Sequence, residues 1–217
     1  LEHNLDSLKG VVSEAIIVVG YKKDMIKKAI GNKYNGIRIL YVEQKEQLGT
    51  GHAVLMAEPY IKNRFVLLMG DDVYSKEDIK KCAKHRYSIL VTKIKNPSNF
   101  GVVVQKNEVL VDFAEKPKKF VSDLANTAFY SLDKKIFGFL NKIKKSERNE
   151  LEFPDTIKML SKKEKVYCIK SRKWLPIVYA WDLLKADRSL RKSKVLIGKN
   201  SKIYGKVTNT TIGNNCI

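Results

Sequence analysis

Residues 14–30 read EAIIVVGYKKDMIKKAI, and this stretch indicates the class of fold. Its first part, Glu14–Val19, is dominated by a continuous apolar, β-branched run that ends at Gly20. Such a run is typical of a strand buried on both faces of a parallel sheet. In its second part, Lys23–Ile30, the apolar side chains recur on one helical face. The stretch therefore predicts a strand followed by a helix that packs on the sheet.

The same alternation continues through the first half of the chain. Further apolar strands are predicted at 37–42, 64–69 and 88–94, and helices at 51–57 and 76–84. Strands that alternate with helices indicate an α/β fold, here a Rossmann-like layer with a mostly parallel sheet. In such sheets ligands bind beyond the carboxyl ends of the strands, where Gly20-Tyr21, Gln44–Gly51 and Gly70–Asp72 are expected to lie.

The second half is more antiparallel in character, because short apolar runs are separated by polar turns. The predicted strands are 101–104, 109–113, 127–131 and 165–169, and the predicted helices are 134–142, 154–160 and 181–191. We place the first domain at 1–194.

The last segment, 195–217, has a different pattern. Ile197, Ile203, Val207 and Ile212 recur at a near-hexapeptide spacing, each followed by small or polar turn residues. That spacing predicts the beginning of a hexapeptide-repeat β-helix. The alternative is a simple hairpin with Gly and Asn turns.

Composition restricts the class of partner. The 217 residues are 44% hydrophobic and 30% charged, which suits one globular core. Lys and Arg number 42 against 23 Asp and Glu, for a net charge of +19. This excess indicates either a lysine-rich solvated surface or an anionic partner, nucleic acid or a phosphorylated small molecule. Because no nucleic-acid motif is present, we expect no specific nucleic-acid partner.

Membrane and disulfide classes are disfavoured. No apolar run is long enough to span a bilayer. The three cysteines, Cys82, Cys168 and Cys216, are an odd number without a C-x-x-C pair, which argues against a zinc site and a disulfide framework. Reduced thiols are expected in the cytoplasm.

Gly70-Asp71-Asp72 follows a predicted buried strand. A carboxylate presented by a glycine turn at a strand's carboxyl end is a common Mg²⁺ ligand, and one Asp can suffice when substrate phosphates complete the shell. The alternative is an Asp that caps a helix or stabilises a turn.

The segment 44–53, QKEQLGTGHA, joins a strand to a helix. Gly49 and Gly51 allow the backbone to come close to a ligand, and Gln44 can read a nucleobase edge with its amide. The alternative is a connecting loop in which Thr50 is the N-cap of the helix and His52 is a packing residue.

Glu115-Lys116-Pro117 ends another predicted strand. Lys116 can act as a point charge for a phosphate, and Glu115 can accept a hydrogen bond from a sugar hydroxyl. On its own the tripeptide is a weak signal.

Six motifs, in order and spacing, resemble those of the sugar-1-phosphate nucleotidylyltransferases, over essentially the whole chain. They are Gln44…Gly49-Thr50-Gly51-His52-Ala53, Gly70-Asp71, Phe100-Gly101-Val102-Val103, Glu115-Lys116-Pro117, Asn126…Tyr130 and Trp181-Asp182-Leu183-Leu184. The resemblance is closest to archaeal-type members, glucose-1-phosphate and N-acetylglucosamine-1-phosphate enzymes in which this domain precedes a left-handed β-helix.

The resemblance implies a reaction and a set of roles. A sugar 1-phosphate attacks the α-phosphate of UTP or dTTP, which forms a nucleotide sugar and releases pyrophosphate, with Mg²⁺ as cofactor. The implied roles are Gln44, Gly49 and Thr50 for the nucleotide, Asp71 for the metal, Gly101, Glu115 and Asn126 for the sugar, and Lys116 for the sugar phosphate. Asp71 and Lys116 would be the catalytic residues. A homo-oligomer through the β-helix is a further implication.

The first departure from the family lies at the N-terminus. The family's Gly-rich signature loop, which wraps the triphosphate, is absent, so we expect about 30 residues, one βα unit and its loop, to be missing. We therefore expect the chain as given to be inactive, with an apolar sheet edge exposed where the first strand would lie.

Three further departures concern single positions. Pro176 stands where many relatives carry a second metal-binding Asp, Ala128 where the family has Gly, and Pro154 where it has Thr. Pro176 and Ala128 leave open a non-catalytic, sugar-nucleotide-binding regulatory protein as the alternative to an active enzyme. A third possibility is a nucleic-acid binder driven by the net charge.

Overall fold

The structure is a computed structural model that describes residues 1–117, 119–190, 195–207 and 210–217, with only the backbone described at Ser98. The chain divides into two compact units, Leu1–Trp174 and Leu175–Ile217. The domain boundary expected at 194/195 and the expected helix end at Arg191 fall at residues 191–194, outside the described residues.

The first unit contains helices on both sides of mixed sheets. Its helices are α1 (Glu2–Leu8), α2 (Lys23–Ile30), α3 (Thr50–Ala57), α4 (Lys76–Ala83), α5 (Ile136–Leu140) and α6 (Phe153–Ser161), with 3₁₀ turns at Glu58–Tyr60 and Pro97–Asn99. Its strands are β1 (Glu14–Val19), β2 (Lys33–Tyr34), β3 (Ile37–Glu43), β4 (Arg64–Leu67), β5 (Val73–Tyr74), β6 (Ser88–Lys93), β7 (Val102–Lys106), β8 (Val109–Ala114), β9 (Leu124–Asp133) and β10 (Tyr167–Lys170), and β11 (Trp174–Leu175) begins at its last residue. The predicted strand 14–19 and helix 23–30 are confirmed with the same limits.

The sheets are mixed, so the expected mostly parallel sheet is wrong. In the three-stranded sheet β1-β3-β2, β1 is parallel to β3 and β2 is antiparallel to it. In the six-stranded sheet β4-β9-β6-β10-β8-β7, the parallel pair is β6 with β10, and the pairs β4–β9, β6–β9, β7–β8 and β8–β10 are antiparallel.

Two features explain the antiparallel pairs. The ten-residue strand β9 runs against β4, β6 and β7, so it reverses the direction at the middle of the sheet. Strands β7 and β8 form a hairpin whose two turn residues, Asn107 and Glu108, have φ of +52° and +60°. Positive φ at both positions is the conformation of the tight turn that matches strand twist.

Strand β9 also separates two hydrophobic clusters. Tyr130 and Leu132 belong to a cluster with Phe137 and Ile157, whereas Phe129 belongs to a cluster with residues of α1, β3 and α4. Successive side chains of a strand point to opposite faces, and this explains the division. Burial raises the pKa of both Cys82 and Cys168 to about 12, so these two are unreactive core thiols.

A cavity of about 1040 Å³ lies between the two sheets. It is lined by consecutive residues of β1 and β4, at 14–18 and 64–67. Each of these strands pairs along one edge only, β1 with β3 and β4 with β9, among the residues that the structure describes. Apolar strand edges therefore face the cavity.

The second unit contains α7 (Asp182–Leu190) and two short strands, β12 (Leu196–Ile197) and β13 (Thr211–Ile212). These strands pair in parallel, Leu196 with Thr211 and Ile197 with Ile212, whereas strands of a hairpin are antiparallel. Across the described positions, no helix is long and apolar enough to cross a membrane.

The turns that follow these two strands repeat each other. Asn200 and Asn215 both adopt the left-handed conformation, with φ of +61° and +57°. Ser201 Oγ donates to Gly213 O and accepts from Cys216 N, so one turn is stacked on the other. Thr208 and Asn209 lie outside the described residues.

Candidate active site

Five of the predicted site residues line the cavity between the sheets. They are Thr50, Gly101, Glu115, Lys116 and Asn126. Asp71 is not among the lining residues, but its neighbour Gly70 is. Gln44 and Gly49 lie in the β3–α3 connection, outside the set of lining residues. The structure thus brings the expected sugar contacts together at the cavity with one of the expected nucleotide contacts, Thr50, and leaves Gln44 and Gly49 outside its lining.

Sheet pairing explains why the sugar-pocket residues meet. Val102 pairs with Ala114 of β8 and with Ala125 of β9, so the residues next to these positions are neighbours. Gly101 O accepts a hydrogen bond of 2.8 Å from Asn126 N. A β-carbon at Gly101 would lie 2.7 Å from Glu115 Oε2, so glycine is needed for this close approach.

Asn126 is held in one orientation by two neighbours on its own strand. Its Oδ1 accepts from Ala128 N at 2.9 Å, and its Nδ2 donates to the Tyr130 hydroxyl at 2.7 Å. An amide has four hydrogen-bonding positions, so one N–H and one lone pair remain for a ligand. Ala128 adopts a left-handed conformation with φ of +55°, which is why the family's glycine suits this position.

Glu115 has a perturbed carboxylate at the cavity wall, although the residue as a whole is exposed. Desolvation raises its pKa, and the nearby carboxylates of Glu152 and Asp155 raise it as well. The charges of Lys116 and Arg148 act in the opposite direction. The pKa of Asp155 is also raised, first by desolvation and then by Glu152. Acidic and basic groups are therefore interleaved around this side of the cavity.

Lys116 follows Glu115 in the left-handed conformation, with φ of +39°. A long side chain rarely adopts this backbone geometry, and such strain is concentrated at functional sites. Lys116 also belongs to the cavity lining.

Arg148 is a cavity residue that the sequence analysis did not single out. Its Nη2 donates to Glu152 Oε1 at 2.7 Å, and the same oxygen accepts from Ser146 Oγ at 3.1 Å. Glu152 is buried and thereby fixes the guanidinium at the cavity. The i,i+4 spacing of Arg148 and Glu152 was the available signal, but a charged pair in a lysine-rich loop does not stand out by pattern alone.

The Gln44 side chain is anchored within its own loop. Its Nε2 donates to Gly49 O at 3.2 Å and contacts His52 Nδ1 at 3.0 Å. Since an amide nitrogen only donates, His52 Nδ1 accepts and its proton lies on Nε2. Both Gln44 N–H groups are therefore used, and its carbonyl oxygen is the atom left to accept from a base.

The glycines of this loop pack against the protein itself. A β-carbon at Gly49 would lie 2.7 Å from Leu151 O, and one at Gly51 would lie 2.8 Å from the same atom. Gly51 N donates to Leu151 O at 2.7 Å. Both glycines therefore allow a close approach to the Leu151 backbone.

The reading of Thr50 as the helix N-cap is wrong. Gly49 is the N-cap residue, with φ of +99°, and Thr50 is the first residue of α3. The Thr50 hydroxyl accepts from Phe153 N at 3.1 Å and so connects α3 to the start of α6.

Asp71 is exposed on the connection between β4 and β5. Its neighbour Asp72 accepts a 2.9 Å hydrogen bond on Oδ2 from the indole N–H of Trp174. Within the described ranges, no group of three or more His, Cys, Asp or Glu side chains can hold a metal ion by itself. A single exposed carboxylate suits Mg²⁺, which completes its shell with phosphate oxygens and water. Pro176, in the second unit, has no side-chain ligand to offer.

Comparisons with known proteins show the family to which the chain belongs. The sequence pattern of the nucleotidyl transferase family matches residues 2–193. The bifunctional protein GlmU of Methanocaldococcus jannaschii is 37% identical over 98% of this chain and 50% of its own length. The UTP–glucose-1-phosphate uridylyltransferase AglF of Haloferax volcanii is 30% identical over 88% of this chain and 84% of its own length.

A solved structure of a UDP-glucose pyrophosphorylase complexed with UDP-glucose has a TM-score of 0.74 and 20% sequence identity. It covers 85% of this chain, which in turn spans 83% of that protein. At this identity the likeness concerns the fold. The chain spans about half the length of the GlmU relatives that it matches.

Proposed function

The chain belongs to the sugar-1-phosphate nucleotidyltransferase family, and on that premise we propose that it transfers a nucleotidyl group from UTP or dTTP to a sugar 1-phosphate. The products are a nucleotide sugar and pyrophosphate. The observation that carries the proposal is the convergence of Gly101, Glu115 and Asn126 with two cations, Lys116 and Arg148, on one cavity.

The sugar would be held by groups of three adjoining strand ends. Glu115 would accept hydrogen bonds from hydroxyls, and Asn126 would use its remaining N–H and lone pair. The contact between Gly101 and Glu115 would keep this wall of the pocket close to the sugar ring.

The anionic end of the substrate would face Lys116 and Arg148. Arginine is always charged and offers a planar fork of donors to phosphate, whereas lysine acts as a point charge. In the reaction a phosphate oxygen of the sugar 1-phosphate attacks the α-phosphorus, and the bond to the bridging oxygen of pyrophosphate breaks. The role of the protein in such a displacement is to position the reactants and neutralise charge.

The nucleotide would be bound by the β3–α3 loop. The carbonyl oxygen of Gln44 would accept from the N3–H of uracil or thymine, with the backbone of Gly49 and Thr50 beside it. The anchoring of Gln44 by Gly49 and His52 supports this role, because an oriented amide reads a base edge better than a mobile one.

Asp71 would hold Mg²⁺ with one carboxylate, together with phosphate oxygens and water. When bound, this cation neutralises part of the phosphate charge.

We also propose that β12 and β13 begin a left-handed β-helix, through which the protein would form homo-oligomers. The parallel pairing and the repeated Asn turns support this proposal. The three free cysteines suit a cytoplasmic location.

The second candidate function is a non-catalytic protein that binds a nucleotide sugar. Pro176 in place of a metal-binding Asp, and the strained Ala128 in the sugar pocket, favour it. It predicts binding of UDP-glucose or a related nucleotide sugar without turnover.

The experiment measures pyrophosphate release by the complete gene product. The reaction contains Mg²⁺, UTP or dTTP, and one of a panel of hexose 1-phosphates. Turnover with at least one pair supports the enzyme. Absence of pyrophosphate with every pair, together with calorimetric binding of a nucleotide sugar, would replace it with the second candidate. Salt-sensitive binding of nucleic acid without preference for nucleotide sugars would contradict both.

A further inference from the structure

One buried side chain of α1 holds the segment that contains Asp71. Asn4 is 1% exposed, and its amide makes three hydrogen bonds to this segment. Its Nδ2 donates to Met69 O at 3.1 Å and to Asp72 O at 2.7 Å, and its Oδ1 accepts from Tyr74 N at 3.4 Å. Three of the four hydrogen-bonding positions of this amide are therefore used by one segment.

These bonds fix the loop on both sides of the exposed carboxylate. Met69 and Asp72 flank Gly70 and Asp71, so only two residues lie between the two carbonyls that Asn4 holds. A glycine at one of these two positions would otherwise leave the loop free to change its backbone angles. The bonds from Asn4 reduce that freedom.

Trp174 holds the same loop through a second contact. Its Nε1 donates to Asp72 Oδ2 at 2.9 Å, and its ring lies 5.6 Å from that of Phe100, a cavity residue, at 70°. The indole is thus oriented by a packing contact at the cavity and by a hydrogen bond at the loop.

Asp78 fixes the turn that leads to Trp174. Its carboxylate is fully buried, and Oδ2 accepts from Ser171 Oγ at 3.1 Å, Arg172 N at 2.8 Å and Lys173 N at 3.2 Å. The residue preceding the indole therefore has a fixed backbone. The loop is held between two rigid supports, α1 and this turn.

We propose that Asn4 and Trp174 are positioning residues that orient the Asp71 carboxylate for the metal–nucleotide complex. This inference rests on the proposed function of Asp71. Mg²⁺ requires near-ideal octahedral geometry at short distances, so a lone protein carboxylate is effective only where its position is set in advance. A purely structural role of Asn4 would lower stability without changing metal dependence.

The test uses the complete gene product and compares Asn4→Ala with Asp6→Ala. Asp6 lies on the same helix and accepts from Asn35 Nδ2 at 2.6 Å, so its loss removes a contact of α1 that does not reach the loop. Two properties are measured in addition to thermal stability. One is the Mg²⁺ concentration for half-maximal pyrophosphate release. The other is binding of the Mn²⁺–UTP complex, followed by water-proton relaxation without turnover.

We expect Asn4→Ala to raise the Mg²⁺ requirement and the Kd for Mn²⁺–UTP about 10-fold, with little change in the KM for the sugar 1-phosphate. Asp6→Ala should change neither. Equal metal dependence in Asn4→Ala and wild type, with a lower melting temperature only, would overturn the proposal for Asn4.

Trp174→Phe provides the second variant, because it removes the indole N–H and keeps a ring beside Phe100. It should also raise the Kd for Mn²⁺–UTP. If Asn4→Ala does not fold, this variant alone tests whether the contacts to the loop position Asp71. An unchanged Kd in Trp174→Phe would then overturn the inference. A wild-type protein without Mg²⁺-dependent pyrophosphate release would instead refute the proposed function, so the two failures are distinct.

Discussion

Gly101 lies so close to Glu115 that a β-carbon at position 101 would stand 2.7 Å from Glu115 Oε2. The same β-carbon would stand 2.7 Å from Cζ of Phe113, which is buried. The carboxylate is therefore packed directly on the backbone of the residue that precedes β7. Any side chain at this position must displace the group proposed to hold the sugar.

Gly101→Ala should weaken sugar binding. The displaced Glu115 should raise the KM for the sugar 1-phosphate about 10-fold, equivalent to about 1.4 kcal/mol. Overpacking against Phe113 should lower the free energy of unfolding by about 1–3 kcal/mol. Steady-state kinetics and chemical denaturation measure the two effects.

Gly138→Ala is the matched control, since a β-carbon at position 138 would have no neighbouring atom within 4 Å. It lies in α5 and should stabilise the protein by about 0.5–1 kcal/mol without changing KM. Equal KM values for Gly101→Ala and wild type would show that Gly101 is not part of the sugar site.

Ala128→Gly should stabilise the protein, although glycine normally destabilises a strand. The left-handed φ of +55° strains an alanine by about 1–2 kcal/mol, which exceeds the entropic cost of glycine of about 0.5–1 kcal/mol. Thermal denaturation should show a higher midpoint. Ala125→Gly, in the same strand and fully buried, should show a lower one. A fall of similar size in both variants would mean that Ala128 carries no strain.

Tyr130→Phe should affect the sugar pocket through Asn126. The lost hydroxyl accepts from Asn126 Nδ2 at 2.7 Å, so the variant should lose about 1 kcal/mol of stability and allow the amide to rotate. The KM for the sugar 1-phosphate should rise. Tyr87→Phe is the control, because its hydroxyl donates to Asp133 Oδ1 at 2.9 Å away from the cavity lining. The control should lose stability with an unchanged KM; a KM effect of the same size in both would contradict the role of Asn126.

Sugar binding should depend on pH through Glu115. Desolvation raises the pKa of this carboxyl. When the pH is lowered, Glu115 therefore becomes protonated earlier than an ordinary glutamate does. The ionised carboxylate accepts stronger, charge-assisted hydrogen bonds from hydroxyls than the neutral acid does, so KM should rise as the pH decreases through this raised pKa. Glu115→Gln should remove the extra pH dependence, while titration of the substrate phosphate is common to both proteins and cancels.

Glu115 should also make the stability of the protein depend on pH. Sugar binding should improve as the pH rises through the pKa of Glu115, whereas stability should fall. A carboxyl whose pKa is raised by folding contributes stability below its unfolded pKa, and that contribution is lost as pH rises through the folded pKa. Glu115→Gln should therefore be more stable than wild type at neutral pH. Identical pH profiles of the two proteins would show that Glu115 has an ordinary pKa.

The local elements of the fold were predictable because they depend on nearby residues. The strand at 14–19 and the helix at 23–30 have the predicted limits, since apolar periodicity is a property of the segment itself. Strand direction was not predictable in this way. The apolar run that begins at Arg64 has the pattern of a parallel strand, but its partner β9 comes from residues 124–133 and runs against it.

Strand pairing brings three residues of the candidate site together. Glu115 and Asn126 lie beside Gly101 because β7 pairs with both β8 and β9. Arg148 was missed, because its position at the cavity depends on a bond to the buried Glu152 rather than on a local pattern. The glycines at 49 and 51 were found, but their neighbour is the Leu151 backbone, about a hundred residues further along the chain, which no local pattern reveals.

The central claim is that Asp71 is the residue that would hold Mg²⁺ for nucleotidyl transfer. The most direct measurement is kcat/KM for pyrophosphate release by the complete gene product, compared between wild type and Asp71→Asn. Asp24→Asn, an exposed acid in the first turn of α2, is the control. We expect a loss of at least about 100-fold for Asp71→Asn and wild-type activity for Asp24→Asn. Equal activity of Asp71→Asn and wild type would contradict the claim.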